Sequence, residues 1–385
     1  MNQIITTENK PIKMWINHIE DGALAQAKNL ANLPFIVSHV AIMPDCHQGY
    51  GMPIGAVIAT EGIIIPNAVG VDVGCGVCAV KTTLTELVIS DLKAIMNIIR
   101  KTIPVGFKHQ IQYQDDSIMP TINYYRGIVI KEHNSALKQV GTLGGGNHFI
   151  EFQKGDDGYI WFMIHSGSRN IGLKVATHYN NIAKKLNEKW FSQIPKKYDL
   201  AFLPVDDEAG KHYITEMKFC IGFALVNRQL MVKRIKEAIL DIIPSQFDDT
   251  IDVAHNYAQL EHHFNKNVWV HRKGATMAKD GQVGIIPGSQ GTPSYIVTGK
   301  GNPLSFHSCS HGAGRKLGRN QARKHLNFDI EKKYLDDLNI VHSLRSENHL
   351  DEAPGSYKDI TEVMDQQSEL IDIKVELQPL GVIKG

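Results

Sequence analysis

The chain lacks the marks of a membrane protein, a secreted scaffold or a polycation. No run of about 18 apolar residues occurs, and residues 1–13 lack the charged-then-apolar layout of a secretory leader. A soluble cytoplasmic protein with no membrane partner is the expectation. Cysteine is scarce. Cys46, Cys75, Cys78, Cys220 and Cys309 are an odd number in 385 residues, which speaks against a disulfide framework and for reduced thiols available to a metal or to chemistry. An excess of one charge is missing as well. Lys and Arg total 41 against 40 Asp and Glu, so any nucleic-acid contact has to be local.

No internal repeat, low-complexity segment or Pro/Ser-rich linker divides the sequence, and glycine-rich stretches are spread along its whole length. With 43% hydrophobic residues the chain can bury a large core. Residues 35–80, 142–168 and 268–314 read as short apolar strands cut by glycine turns. Residues 90–102, 173–190 and 211–240 carry helical periodicity, and a further amphipathic helix is predicted over 357–370, started by Asp351-Glu352-Ala353-Pro354. The fold class expected is α+β: one integrated domain over residues 1–385, a β-rich core surrounded by helices.

Several segments carry chemistry. Gly70-Val71-Asp72-Val73-Gly74-Cys75-Gly76-Val77-Cys78 puts a carboxylate and a thiol three positions apart in a glycine turn, where both can face one ion. A zinc ribbon would need a second Cys-x-x-Cys, which is absent, and a turn with two buried cysteines is the alternative. Gly141-Thr142-Leu143-Gly144-Gly145-Gly146-Asn147-His148-Phe149-Ile150-Glu151 gathers backbone amides suited to an anion, yet matches neither a Walker loop nor a dinucleotide fingerprint. A plain hairpin turn would look similar.

His165-Ser166-Gly167-Ser168-Arg169 follows an apolar strand, and His148 and His165 on adjacent strands can converge. His255 and the pair His262-His263, taken singly, read as surface or core histidines. The densest segment is Ser305-Phe306-His307-Ser308-Cys309-Ser310-His311-Gly312-Ala313-Gly314-Arg315. Small residues around His311 let a phosphate ester approach the imidazole, and Arg315 can grip a phosphate through its planar fork. A metal ligand or a capping turn is the other reading. Arg315, Arg319 and Arg323 recur every four residues, so a helix there would present one cationic face.

In this order, these segments resemble the RtcB family of RNA-splicing ligases. The likeness runs from Pro44-Asp45-Cys46-His47 through the Asp72 turn, the Asn147-His148 segment, His165 to Arg169, His255-Asn256, the Pro287-Gly288-Ser289 loop, His311 to Arg315 and Asp351 to Tyr357, and ends at Lys384-Gly385. It implies a GTP- and manganese-dependent enzyme joining an RNA 3′-phosphate or 2′,3′-cyclic phosphate to a 5′-hydroxyl, in RNA repair or tRNA splicing.

By resemblance, Asp72, Cys75, His148, His165 and His255 would ligate two Mn2+ ions, and His311 would carry the covalent guanylate. Asp45 would lie near the reacting ends. Asn147, Phe149, Glu151, His255, Asn256, Pro287, Gly288, Ser289, Gln290, Ser294, Gly312, Ala313, Gly314, Tyr357 and Lys384 would surround the guanylate. Arg169, Arg315, Arg319 and Arg323 would hold RNA, with an archease-like activator or a release-factor-like repair partner as further company. The segment around Cys46-His47 departs from the usual family form and points to a divergent branch. Two rival functions use the same residues: a metal-dependent cyclic phosphoesterase that does not seal, and an RNA-end-binding protein.

Overall fold

The computed structural model describes residues 1–121 and 127–385. Two β-sheets organise them. In the six-stranded first sheet the spatial order is Gln3–Ile5, Ile12–Met14, Ile36–His47, Ile54–Thr60, Lys266–Lys273, Asn256–His263. In the seven-stranded second sheet it is Ile251–Ala254, Gly76–Lys81, Ile160–Ser166, Phe149–Gly155, Ile371–Lys384, Ser294–Gly299, Val283–Ile286. Helices cover the sheets, and the class is α+β as expected. Among the described residues no helix is long and apolar enough to cross a membrane.

The helices dock by the spacing of their apolar residues. Asp21–Ala31 buries Ala23, Ala27 and Leu30 on the first sheet beside Ile42 and Ile58. Arg169–Lys189 buries Ile171, Val175, Tyr179 and Ala183, one per turn, against the 33-residue helix Glu208–Leu240. That long helix starts at Glu208, three residues before the expected start at Lys211.

Two expectations for the C-terminal part change. Of the helix expected over 357–370, only Ile360–Asp365 forms, capped by Asp359, whose Oδ1 accepts from Thr361 N at 2.8 Å. Residues 347–356 are short 3-10 turns instead of a helix start. The segment after it, Ile371–Lys384, is a 14-residue strand in the second sheet. Register shifts at Pro379/Gly381 and opposite Ile296/Val297 break the period-two alternation that would have announced it.

One junction matters for function. His255 is the single residue between Ile251–Ala254 of the second sheet and Asn256–His263 of the first. The chain changes sheets at that histidine.

Candidate active site

Five side chains form a row at the junction of the sheets. Asp72 and Cys75 lie in the turn leading into Gly76–Lys81, His148 immediately precedes Phe149–Gly155, and His165 ends Ile160–Ser166 opposite Phe149. Asp72 Oδ2 lies 3.0 Å from His148 Nε2, and Cys75 Sγ lies 3.5 Å from His148 Nε2 and 3.2 Å from His165 Nε2. His165 Nε2 is 3.3 Å from His255 Nε2. The ligand atoms of Cys75, His148 and His165 all fall within 4.8 Å of one another. The distances thus read Asp72, His148, Cys75, His165, His255, with the thiol in the middle.

This donor set fits a divalent cation. His148 Nδ1 sits 2.9 Å from Leu143 O, so it donates there and leaves Nε2 as a lone-pair donor. Burial, then the charges of neighbouring histidines, holds His165 and His255 well below the usual histidine range, so both are neutral. Two neutral Nε2 atoms facing each other beside a thiol and a carboxylate repel unless a proton or a cation lies among them. Mixed O, N and S donors suit borderline metals. Burial, reinforced by the Asp72 carboxylate, raises Cys75 well above the ordinary thiol range. A metal must therefore displace its proton.

His311 lies beside this row, its ring centroid 4.8 Å from that of His255. The ribbon of Ala275–Met277 and Ser308–Ser310 carries it, with Ala275 paired to Ser310. Gly274 makes the approach possible: its φ is +63°, and a Cβ there would come within 3.0 Å of His311 Cε1. Asp45, fully buried, holds the ring. Its Oδ2 accepts from His311 Nδ1 at 2.6 Å and from His311 N at 3.0 Å. Burial would raise the Asp45 pKa, but the His311 contacts outweigh it and the carboxyl stays ionised. Asp45 is thus bonded to the imidazole itself, and Nε2 is the nitrogen left for chemistry.

Two residues that the sequence reading passed over brace the site from the long helix. Asn227 Oδ1 accepts from Gly141 N and Thr142 N at 2.7 and 3.1 Å, and its amide donates to Thr142 O, Ser166 Oγ and Gly167 O. Arg228 pairs with Asp252 at 2.6 Å and donates to Gly74 O and Ser166 O. Both are fully buried, so the metal-site turns are tied to one rigid rod. The available signal was an adjacent polar pair, Asn227-Arg228, on the apolar stripe of an amphipathic helix.

The other sequence-selected residues gather around Glu352, which sequence reasoning also missed. Lys384 Nζ donates to Glu352 Oε2 at 2.9 Å, Tyr357 Oη donates to the same oxygen, and Gln290 Nε2 donates to Glu352 O at 2.7 Å. Lys384 stands opposite Phe149 in the strand register and Val382 opposite Glu151, so the chain end lies along the strand carrying those two residues. Phe149 packs edge-on against His165. The loop of Pro287, Gly288, Ser289 and Ser294 abuts Gly312 and Ala313, with Ala313 N donating to Pro287 O at 3.0 Å. Gly314 fits against the Asp45 backbone, and Asn147 is exposed at the rim. Asn256 spends its amide on the backbone, donating to Asp72 O and accepting from Gly274 N.

The arginines depart from the expected stripe. The helix is Arg319–His325, so Arg315 lies outside it, stacked near Tyr357 and bonded to Asp351 O and Glu352. Arg319 and Arg323 are half-exposed but paired with Asp351. Asp351, 32 positions beyond Arg319, and Glu352, 37 beyond Arg315, neutralise what local sequence presents as a cationic face. Arg169 donates to Thr142 Oγ1 and Gly106 O and abuts Gly144, which sits at a φ of +96° and where a Cβ would collide with both His148 and that guanidinium.

Glu352 is held down to a pKa of about 2: burial opposes ionisation, but Lys384, Tyr357 and Arg319 outweigh it. Replacing it with Ala strands Lys384 and Arg315. Glu352→Ala is expected to cost about 3 kcal/mol of stability, read as a lowered denaturant midpoint. A midpoint within experimental error of the parent would contradict the hub.

Comparison with known proteins agrees over the whole chain. A family model described as tRNA-splicing ligase RtcB matches residues 26–133 and 123–385. The RNA-splicing ligase RtcB of Escherichia coli (strain K12) is 37% identical over 409 residues, covering all of this chain and 99% of the relative. The tRNA-splicing ligases RtcB of Thermococcus kodakarensis and Pyrobaculum aerophilum are each 32% identical, over 442 and 443 residues, covering 95% of this chain and 92% and 91% of those proteins. With its ordered motifs brought together at one sheet junction and matched along their full length, the chain belongs to the RtcB family of tRNA-splicing ligases.

Proposed function

We propose that the protein is a GTP- and manganese-dependent RNA ligase. It would join RNA 3′-phosphate or 2′,3′-cyclic phosphate ends to 5′-hydroxyl ends through a guanylylated His311, with residues 1–385 working as one catalytic unit. The observation that carries this reading is the His311–Asp45 pair, at 2.6 Å, beside the five-residue ligand row. The names of the relatives, RNA-splicing and tRNA-splicing ligases, support the reaction class.

Asp72, Cys75, His148, His165 and His255 would hold two metal ions. When bound, such ions supply Lewis-acid charge to phosphate oxygens. The chain's own residues do the rest. Asp45 keeps the proton on Nδ1, so His311 presents its Nε2 lone pair to the α-phosphorus of GTP. An N–P bond forms as the bond from that phosphorus to the pyrophosphate oxygen breaks. The imidazole becomes cationic in this step, and the buried Asp45 carboxylate neutralises it. A cyclic end would first take up one water, breaking the bond from phosphorus to O2′ and leaving the 3′-phosphate; His311 then yields GMP to that phosphate and returns to the neutral imidazole. Attack by the 5′-hydroxyl on the activated phosphorus releases GMP and closes the phosphodiester.

Phe149, Glu151, Ser289, Ser294, Ala313, Tyr357 and Lys384 would line the guanylate pocket, with Asn147 at its rim. Arg169 would meet an RNA phosphate, and the half-exposed Arg319 and Arg323 would exchange Asp351 for RNA phosphates on binding, whereas Arg315 is spent on Asp351 O and Glu352. Guanine offers N1–H and an amino group, donors that an ionised carboxylate accepts together. Burial pushes Glu151 up to about 8, with the hydrogen bond from Gln153 and the charge of Lys384 offsetting it only in part. Below that pH the empty pocket holds a protonated Glu151. The KM for GTP is therefore expected to fall by about tenfold as pH rises from about 7 to 9, and Glu151→Gln is expected to flatten that profile. A parent profile already flat over this range would remove Glu151 from guanine recognition.

The direct test uses two RNA strands, one with a 3′-phosphate and one with a 5′-hydroxyl, incubated with GTP and Mn2+. A joined product that requires both is expected. Opening of a cyclic phosphate without GTP, and no joining in its presence, would select the phosphoesterase instead.

A further inference from the structure

Residues 104–114 form a loop that neither the family motifs nor the proposed chemistry uses. Within it Phe107 is fully exposed, with Ile111 at 89% and Tyr113 at 58%. Exposed apolar side chains gathered on one loop mark an interaction site, as singly scattered ones do not. The loop is nonetheless anchored: Gly106 N donates to Gly144 O at 2.8 Å, Gln110 N to Lys138 O at 2.8 Å and Gln114 N to Leu137 O at 3.0 Å. Phe107 lies between the first two anchors, so the backbone presents it in place.

Its position is the informative part. Gly144, which receives the Gly106 N–H, abuts both the His148 ring and the Arg169 guanidinium. Arg169 in turn donates to Gly106 O at 2.8 Å, and the backbone of Gly385, next to Lys384, packs on Gly106 and Gly144. Phe107 is therefore one residue from the point where the metal-cluster histidine, Arg169 and the chain-end lysine segment meet. Residues 104–114 carry Lys108 and His109, both exposed, and the next acids along the chain, Asp115 and Asp116, are bonded to Ser117 N and His133. An exposed aromatic ring beside a lysine is a feature by which proteins hold single-stranded nucleic acid, through base stacking and backbone charge.

We propose that Phe107, with Lys108 beside it, is the stacking platform for a base of the single-stranded RNA end delivered to His311. This rests on the ligase reading. Phe107→Ala is expected to weaken binding of a short 3′-phosphorylated single-stranded RNA, followed by fluorescence anisotropy, by about 5- to 100-fold, and to raise the KM for RNA to match. Phe107→Trp is expected to restore binding. Labelling of His311 by GTP and Mn2+ without RNA should be the same in all three proteins, because that half-reaction involves no base stack.

Unchanged RNA affinity in Phe107→Ala would overturn the proposal and leave the exposed ring to a protein partner, and a loss that Trp does not repair would overturn it by marking a structural role. If the unsubstituted protein takes no label from GTP, the ligase reading fails separately, and anisotropy still decides whether Phe107 holds RNA.

Discussion

Asp45→Ala should reduce the rate of guanylyl transfer to His311 by about ten-thousand-fold, whereas Asp45→Asn should reduce it by about a hundredfold to a thousandfold. The difference follows from what each change removes. Asp45 Oδ2 accepts from both His311 N and Nδ1, so an Asn oxygen can stay in place and keep the tautomer while losing the charge. Losing one preorganised charge-stabilising contact costs about a hundredfold to a thousandfold. Ala leaves the Nδ1 proton unheld, and the wrong tautomer at a nucleophile–base pair costs on the order of ten-thousand-fold. Single-turnover labelling with GTP measures both, and thermal melting of each variant separates chemistry from misfolding. Equal rates for Asn and Asp would mean that the carboxylate charge takes no part.

Cys75→Ala should weaken Mn2+ binding by at least about a hundredfold, the loss seen when merely an outer partner of a metal ligand is removed. The pH dependence carries a second signature. Cys75 is held well above the ordinary thiol range by burial and Asp72, whereas His165 and His255 are already neutral. Metal binding at neutral pH therefore releases the thiol proton and none from those two histidines. Affinity should rise about tenfold per pH unit between about 6.5 and 8.5, and Cys75→Ala should remove that slope. Calorimetric titration at several pH values reads both effects. A parent affinity independent of pH would remove Cys75 from the metal site.

These two sites differ in how far the sequence discloses them. Cys75, His148 and His165 stand out because glycine turns and a strand end frame them, and local reading suffices to make them candidates. His255 does not stand out, since its role depends on being the residue where the chain crosses between sheets. The Asp45–His311 contact spans 266 positions and has no local trace, so the family resemblance alone brought Asp45 near the reaction.

Helical periodicity located three of the main helices, but it assigns polar residues to solvent by default. Asn227 and Arg228 were lost that way, although they are buried and hold the turns of the site. Likewise Asp351 and Glu352 resemble the acidic start of a helix, and only the folded chain brings Arg315, Arg319, Arg323 and Lys384 to them. The strand Ile371–Lys384 escaped because its bulges break the alternation by which strands are recognised.

The central claim is that Nε2 of His311 takes up the guanylyl group, and one measurement addresses it directly. The protein is incubated with GTP labelled at the α-phosphate and Mn2+, then denatured and tested for bound label. An adduct that survives alkali, is lost in acid, maps to His311 and is absent from His311→Ala is the predicted result. No adduct under any divalent metal, or an adduct of equal yield in His311→Ala, would contradict it.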